Sequence, residues 1–241
     1  MATASQDHGG NLLLAGLSAA DRGRLIRDDP PIDLRLHQIL SEPGEKVRQV
    51  FFPIDSCISL IAPGGGRELL EIGLVGQEGM VGVPLLLDVN LSPLRALVQG
   101  AGRAWRVDAA VFARAIQTPS LRVALNRYLY VFLAQLTHTA PCARYHQVES
   151  RLARWLLMTR DRAHSDRFRI THEFLAYMLG VRRVGVTAAA SALQRRKLIR
   201  YSRGDVSVLD VDGLEAAACA CYELDKKIYS RILTRKVSKN G

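Results

Sequence analysis

The chain has 241 residues, of which 48% are hydrophobic and 23% charged. That length bounds it at one or two domains, and that mix excludes a disordered, fibrous or low-complexity protein. The net charge is +10 and sits wholly in the last hundred residues: 13 Lys and Arg balance 13 Asp and Glu up to Pro141, but 20 stand against 10 from Cys142 onward. A neutral half joined to a basic half points to division of labour, with the second half meeting a polyanion; a merely solvated basic surface is the alternative.

Residues 1–11 read as a loose start, and 11–25 as a helix with Ser18 as a cap within it. No basic, apolar leader pattern opens the chain and no apolar run approaches about 18 residues, so a cytoplasmic protein without a membrane span is expected. From Ile32 to Asp108, short apolar runs alternate with Gly and Pro: DLRLHQIL, VRQVFFP, SCISLIAP, ELLEIGLVG, QEGMVGVP, LRALVQG and GRAWRVD. Strands at this spacing predict an all-β roll or barrel. VDAAVFARAIQ then reads as a short helix.

Beyond Pro119 and Ser120 a longer helix is predicted over about 121–139. Leu121, Leu125, Tyr128, Phe132 and Leu136 recur at spacings of three and four. Such a stripe fits either a dimer seam or packing against the chain's own β-domain. Pro141 reads as a break and hinge. VESRLARWLLMTRDRA (148–163) predicts another amphipathic helix, and the basic end of the chain a fraying tail.

The segment 170–210 carries the functional signal. Thr171 stands at an N-cap position before an apolar helical face formed by Phe174, Leu175 and Met178. Gly180 supplies a tight turn, and a second helix is predicted over about 182–195 with Val186, Ala189, Ala190 and Leu193 inside. Arg182, Arg183, Val184, Gly185 and Thr187 begin its outer face. LIRYSRGDVSVLD then reads as a hairpin turning at Arg203-Gly204-Asp205, with Arg200 and Arg203 placed to meet phosphate. This is the helix-turn-helix pattern with a wing, in which the second helix enters the major groove and Arg or Thr reaches base edges. His172 is expected to be an exposed residue of the first helix, able to touch phosphate.

These stretches resemble the Crp/Fnr superfamily of bacterial transcription regulators: VESRLARWLL, THEFLAYMLGVRRVGVT and ALQRRKLIRYSRGDVSVLD, in family order, with QVFFPIDSCISLI resembling part of the family's cyclic-nucleotide-binding-like jelly roll. The resemblance implies an α+β protein: a β-roll over 11–118, a dimerisation helix and hinge over 119–141, a winged helix-turn-helix domain over 142–225 and a basic tail over 226–241. It implies a homodimer on a near-palindromic double-stranded DNA site, with RNA polymerase a candidate further partner. By position, Thr171 resembles the family's phosphate contact and Arg183 its base-reading arginine. Val184 and Ala188 replace polar readers, so a different target sequence is implied.

The effector elements depart from the family. EGMVGVPLLL (78–87) lacks the Gly-Glu-Leu turn, and in PLRALV (93–98) Arg95 is followed directly by Ala96. Glu78 and Arg95 remain the candidate effector-pocket residues, in a roll expected to be a scaffold or to take something other than cyclic AMP. No cofactor, metal or catalysis is expected. The first 56 residues contain no Cys, so an N-terminal iron–sulfur set is absent. Cys219-x-Cys221 on one continuous helix would point its thiols apart, which favours packing, with redox sensing second. The roll's strands hold only His37, and no GxSxG, Walker or Rossmann fingerprint occurs. A ligand-binding adaptor and a nonspecific nucleic-acid-binding protein are the competing readings.

Overall fold

A computed structural model describes residues 10–26, 29–64 and 69–233. Two short helices come first, α1 (Leu12–Ala15) and α2 (Ala19–Leu25). The single predicted helix is thus split, because Asn11 and Ser18 each cap a separate start by accepting a backbone N–H three residues on. Asn11 is no loose start either: it is buried, and its amide donates to the carbonyls of Pro53 (2.8 Å) and Gly79 (2.9 Å). Residues 1–9 lie outside the described residues.

Seven strands build the roll: β1 (Ile32–Leu34), β2 (Ile39–Ser41), β3 (Gln49–Pro53), β4 (Cys57–Pro63), β5 (Leu69–Val75), β6 (Arg95–Gly100) and β7 (Gly102–Asp108). All pairings are antiparallel, in two sheets ordered β1-β7-β3 and β2-β6-β4-β5. Segment 77–84 does not form the predicted strand. Val81 makes an isolated bridge to Phe51, and a 3-10 turn follows at Val83–Leu87. His37, at φ +64°, separates β1 from β2. Phe52, Ile58, Met80 and Val98 fill the space between the sheets.

Helix α3 (Ala109–Ala115) leads into α4 (Pro119–Tyr145), which lies along the roll. Leu121, Leu125, Tyr128 and Phe132 are buried in the roll's own core, Leu136 packs at its edge, and the Tyr128 hydroxyl donates to the Met80 carbonyl at 3.0 Å. Leu121, Leu125, Tyr128 and Phe132 therefore do not form the dimer seam, because burial against the chain's own sheets removes them from any partner; Leu136 alone of the five is only partly buried. The exposed apolar residues of α4 are Val123, Tyr130 and Leu133, on its opposite face, with Tyr145 at its end.

Pro141 does not break α4. It removes one backbone donor, but tertiary contacts hold the helix on both sides: the His138 imidazole meets Asp225 at 2.7 Å, and Cys142 is buried beside Cys219. The predicted boundary at 141/142 thus falls inside a continuous helix. Next come α5 (Val148–Ala163), β8 (Arg167–Arg169), α6 (His172–Leu179), α7 (Arg183–Arg195), β9 (Ile199–Ser202), β10 (Asp205–Val208), α8 (Val211–Ala217) and α9 (Cys221–Leu233). The first part of the basic tail expected from 226 belongs to α9, which runs to Leu233 packed along α4; its end, 234–241, lies outside the described residues. Because α8 ends at Ala217 and α9 starts at Cys221, the C-x-C pair spans a helix break.

The two halves share a core. Cys57, Ile61 and Leu74 of the roll cluster with Leu152, Trp155 and Met158 of α5 and with Met178 and Leu179 of α6. A polar seam crosses the same joint. Glu71 of β5 accepts from Ser59 (2.5 Å) and from the Trp155 indole (2.9 Å), and Arg162 of α5 donates to Glu78 (2.8 Å) and to the Leu74 carbonyl (3.1 Å).

Candidate nucleic-acid interface

The Thr171 hydroxyl accepts the Phe174 N–H at 3.1 Å, the N-cap bond that starts α6. Gly180 ends α6 in the left-handed region at φ +60°, and the Val181 N–H returns to the Ala176 carbonyl at 3.0 Å. The positive φ favours a glycine at this turn, and a Cβ there would stand 2.9 Å from the Leu70 Cδ1 methyl of the roll. Val186, Ala189, Ala190 and Leu193 are buried, as their spacing predicts. The small alanines let α7 cross close to its neighbours.

Arg182, Arg183, Val184 and Thr187 are exposed at the start of α7, Val184 at 72%, while Gly185 is half-buried near Val148. Arg182 is the N-cap and Arg183 the first helical residue. The wing follows as the sheet β8-β10-β9. Arg203 (φ +50°) and Gly204 (φ +89°) make its two-residue turn, the pairing of positive φ values that matches strand twist in a tight hairpin. Arg200 is exposed on β9 and Arg203 at the tip.

One residue ties these pieces together. His172 stacks on the Tyr201 ring of β9 at 4.3 Å between centroids, and its Nδ1 lies 3.0 Å from the Thr187 hydroxyl of α7. Thr187 donates to the Arg183 carbonyl (3.1 Å), so its oxygen accepts from an Nδ1–H of His172. Burial, with the Arg183 charge adding, holds the imidazole below the usual histidine range. His172 is thus half-buried rather than exposed as expected, and it and Thr187 spend polar capacity on one another, which the sequence pattern does not reveal. Tyr201 also donates through its hydroxyl to the Ile170 carbonyl at 2.6 Å, and the Gly204 carbonyl accepts from the Ile170 N–H at 2.6 Å. The start of α6, the start of α7 and the wing therefore lie on one face.

Its cations are uncommitted. Among the described residues, Arg167, Arg169, Arg182, Arg183, Arg200 and Arg203 make no ion pair, whereas Arg196, farther along, binds Glu149 at 3.0 Å. Arg167 and Arg169 are exposed members of this face that the motif reading missed. Their signal is alternation: in Arg167-Phe168-Arg169 the half-buried Phe points inward and both arginines outward. Unpaired guanidiniums beside a projecting helix start suit phosphate oxygens and base edges.

The roll holds a cavity of about 780 Å³ beneath α4, lined mostly by apolar residues such as Phe51, Leu60, Met80 and Phe132. Neither predicted effector residue lines it. Glu78 is held by Arg162 at 2.8 Å in the joint between the halves, and Arg95 pairs with Glu42 at 2.9 Å. No helix among the described residues is long and apolar enough to cross a membrane.

Comparison with known proteins places this geometry. Residues 150–217 match the Crp-like helix-turn-helix domain family. A CRP-family transcriptional regulator of Thermus thermophilus is 18% identical, with TM-score 0.66 over 78% of this chain and 96% of that one. FixK2 of Bradyrhizobium japonicum is 13% identical, with TM-score 0.67 over 79% and 98%. The c-di-GMP responsive global regulator CLP of Xanthomonas campestris is 17% identical, with TM-score 0.65 over 79% and 99%. Comparison with curated proteins gives no match. The chain carries a Crp-like helix-turn-helix domain at 150–217, and over more than three quarters of its length it has the fold of these Crp/Fnr-type regulators.

Proposed function

We propose that the chain is a homodimeric transcription regulator that reads a near-palindromic DNA site with α7 and grips the flanking backbone with its wing. The observation that carries this reading is the set of unpaired guanidiniums at the start of α7 and on the wing, held on one face by the His172 contacts to Thr187 and Tyr201. Arg183 reads a base edge; Thr171, Arg182, Arg200 and Arg203 position the protein on phosphate. Two copies meet along α4 through Val123, Tyr130 and Leu133, which recur at the seven- and three-residue spacing of a helix seam and are each about half exposed. The roll is the regulatory half. Its cavity is apolar, and the positions that align with a cyclic-nucleotide cradle are tied elsewhere, which favours a scaffold or a ligand other than cyclic AMP.

The test is selection of sites from a random duplex pool by the purified full chain, at one fixed physiological salt because phosphate contacts make affinity salt-dependent. A two-fold symmetric site with half-sites about one helical turn apart is the expected result. Recovery of no preferred sequence, with binding that depends only on duplex length, would replace this reading with a nonspecific nucleic-acid binder.

A further inference from the structure

Away from the DNA-facing surface, four ligand-type side chains converge where α4 meets the last two helices. Cys142 and His146 stand at the end of α4, Cys219 lies in the break between α8 and α9, and Cys221 opens α9. One donor atom from each, three sulfurs and one ring nitrogen, lie within 4.8 Å of one another. Cys142 Sγ is 3.5 Å from Cys219 Sγ, and His146 Nδ1 is 3.7 Å from Cys221 Sγ. All three thiols are buried, and His146 is half-buried.

We propose that Cys142, His146, Cys219 and Cys221 bind one Zn²⁺ in a closed Cys3His site. Zinc–sulfur bonds of about 2.3 Å at tetrahedral angles set ligand atoms about 3.8 Å apart, close to the spacing present before any metal adjusts it. Three thiolates and a neutral imidazole are the donor set of structural zinc, and four protein ligands leave no position open for catalysis. An iron–sulfur cluster distributes its cysteines over separate irons and needs a wider set than one converging on a point.

The surroundings fit the charge. Three thiolates around Zn²⁺ leave one net negative charge, and Arg154 of α5 directs Nη1 at Cys142 Sγ across 3.6 Å. Asp225, which receives Arg154 Nη2 at 2.7 Å and His138 at 2.7 Å, holds that guanidinium in place. Such outer partners orient ligands and compensate their charge. The helix break also removes the objection that spacing alone raises. On a continuous helix Cys219 and Cys221 would diverge; with α8 closed at Ala217, both turn toward Cys142. The site would staple the far end of the long helix to the winged domain, so that occupancy stiffens the joint that positions α7.

The decisive measurement is metal content of the full chain, expressed without chelator and purified under reducing conditions. We expect about one zinc per chain, falling at least about tenfold in Cys219→Ser and Cys221→Ser, and unchanged in Cys57→Ser, whose buried thiol is not among the converging ligand atoms. Circular dichroism reads whether each variant folds. Should the cluster variants not fold, Co²⁺ titrated into chelator-stripped, reduced wild-type protein still decides, because tetrahedral thiolate coordination produces intense ligand-to-metal absorption that added Zn²⁺ abolishes. Protein that arrives metal-free and gives no such absorption overturns the proposal. So does iron-cluster absorption, or a Cys142–Cys219 disulfide in place of the metal.

Discussion

The Trp155 indole of α5 donates to the Glu71 carboxylate of β5 at 2.9 Å, across the joint between the winged domain and the roll. Ser59 donates to the same carboxylate and also meets Gln99 of β6. Burial pushes Glu71 from an ordinary 4.5 up to about 7, against the opposing pull of its bonds from Ser59 and Trp155 and the charges of Arg162 and Arg154. A carboxyl whose folded pKa is raised contributes stability that is complete below the unfolded value and lost as pH rises through the folded one. Stability attributable to Glu71 should therefore fall between about pH 4.5 and 7, by on the order of 3 kcal/mol at most. Melting of the wild type and Glu71→Gln across this window checks it, with Trp155 emission following the same midpoint. A wild-type-minus-variant difference that is flat or rises with pH contradicts the assignment.

Arg183 and Arg203 should separate reading from gripping. Arg183→Ala should cost about 1–3 kcal/mol at one base pair of a selected site and relax preference there. Arg203→Ala should weaken all sequences alike and reduce the salt slope by about one. Titrations on matched and single-mismatch duplexes at several salt concentrations distinguish them. Equal weakening by Arg183→Ala on every sequence would remove its base-reading role.

The two faces of α4 predict opposite phenotypes. Leu133 is about half exposed and Leu125 is fully buried in the roll. Leu133→Asp should give folded monomers in sedimentation. Leu125→Asp, a charge buried without a partner, should instead unfold the roll, losing several kcal/mol. A Leu133→Asp protein that stays dimeric moves the seam off this face.

Gly180→Ala carries a backbone penalty. A residue with a Cβ pays about 1–2 kcal/mol in the left-handed region, while its 2.9 Å approach to the Leu70 Cδ1 methyl is relieved by a small movement of that side chain. Chemical denaturation should show a loss of roughly 1–3 kcal/mol. An unchanged midpoint would contradict the left-handed conformation of Gly180 as a requirement of the fold.

Much of the DNA-facing half is legible in the chain because its signals are local. The Thr171 cap, the Gly180 turn, the buried set at Val186, Ala189, Ala190 and Leu193, and the Arg203-Gly204 hairpin each depend on residues within one or two turns of one another. Periodicity also found the long helix and its buried stripe, but not what the stripe faces: an amphipathic pattern states that a face is apolar and says nothing of whether its own chain or another covers it.

The order of the elements, the charge asymmetry and the helix-turn-helix with its wing thus follow from neighbours in the chain. The rest depends on how distant parts of the chain pack together. That packing turned Leu125 into the roll, carried α4 through Pro141, and sent Glu78 and Arg95 to Arg162 and Glu42. It also gathered Cys142, His146, Cys219 and Cys221 from segments about 75 residues apart. Each of these is a contact between distant segments, and local spacing carries no information on which distant groups share a buried volume.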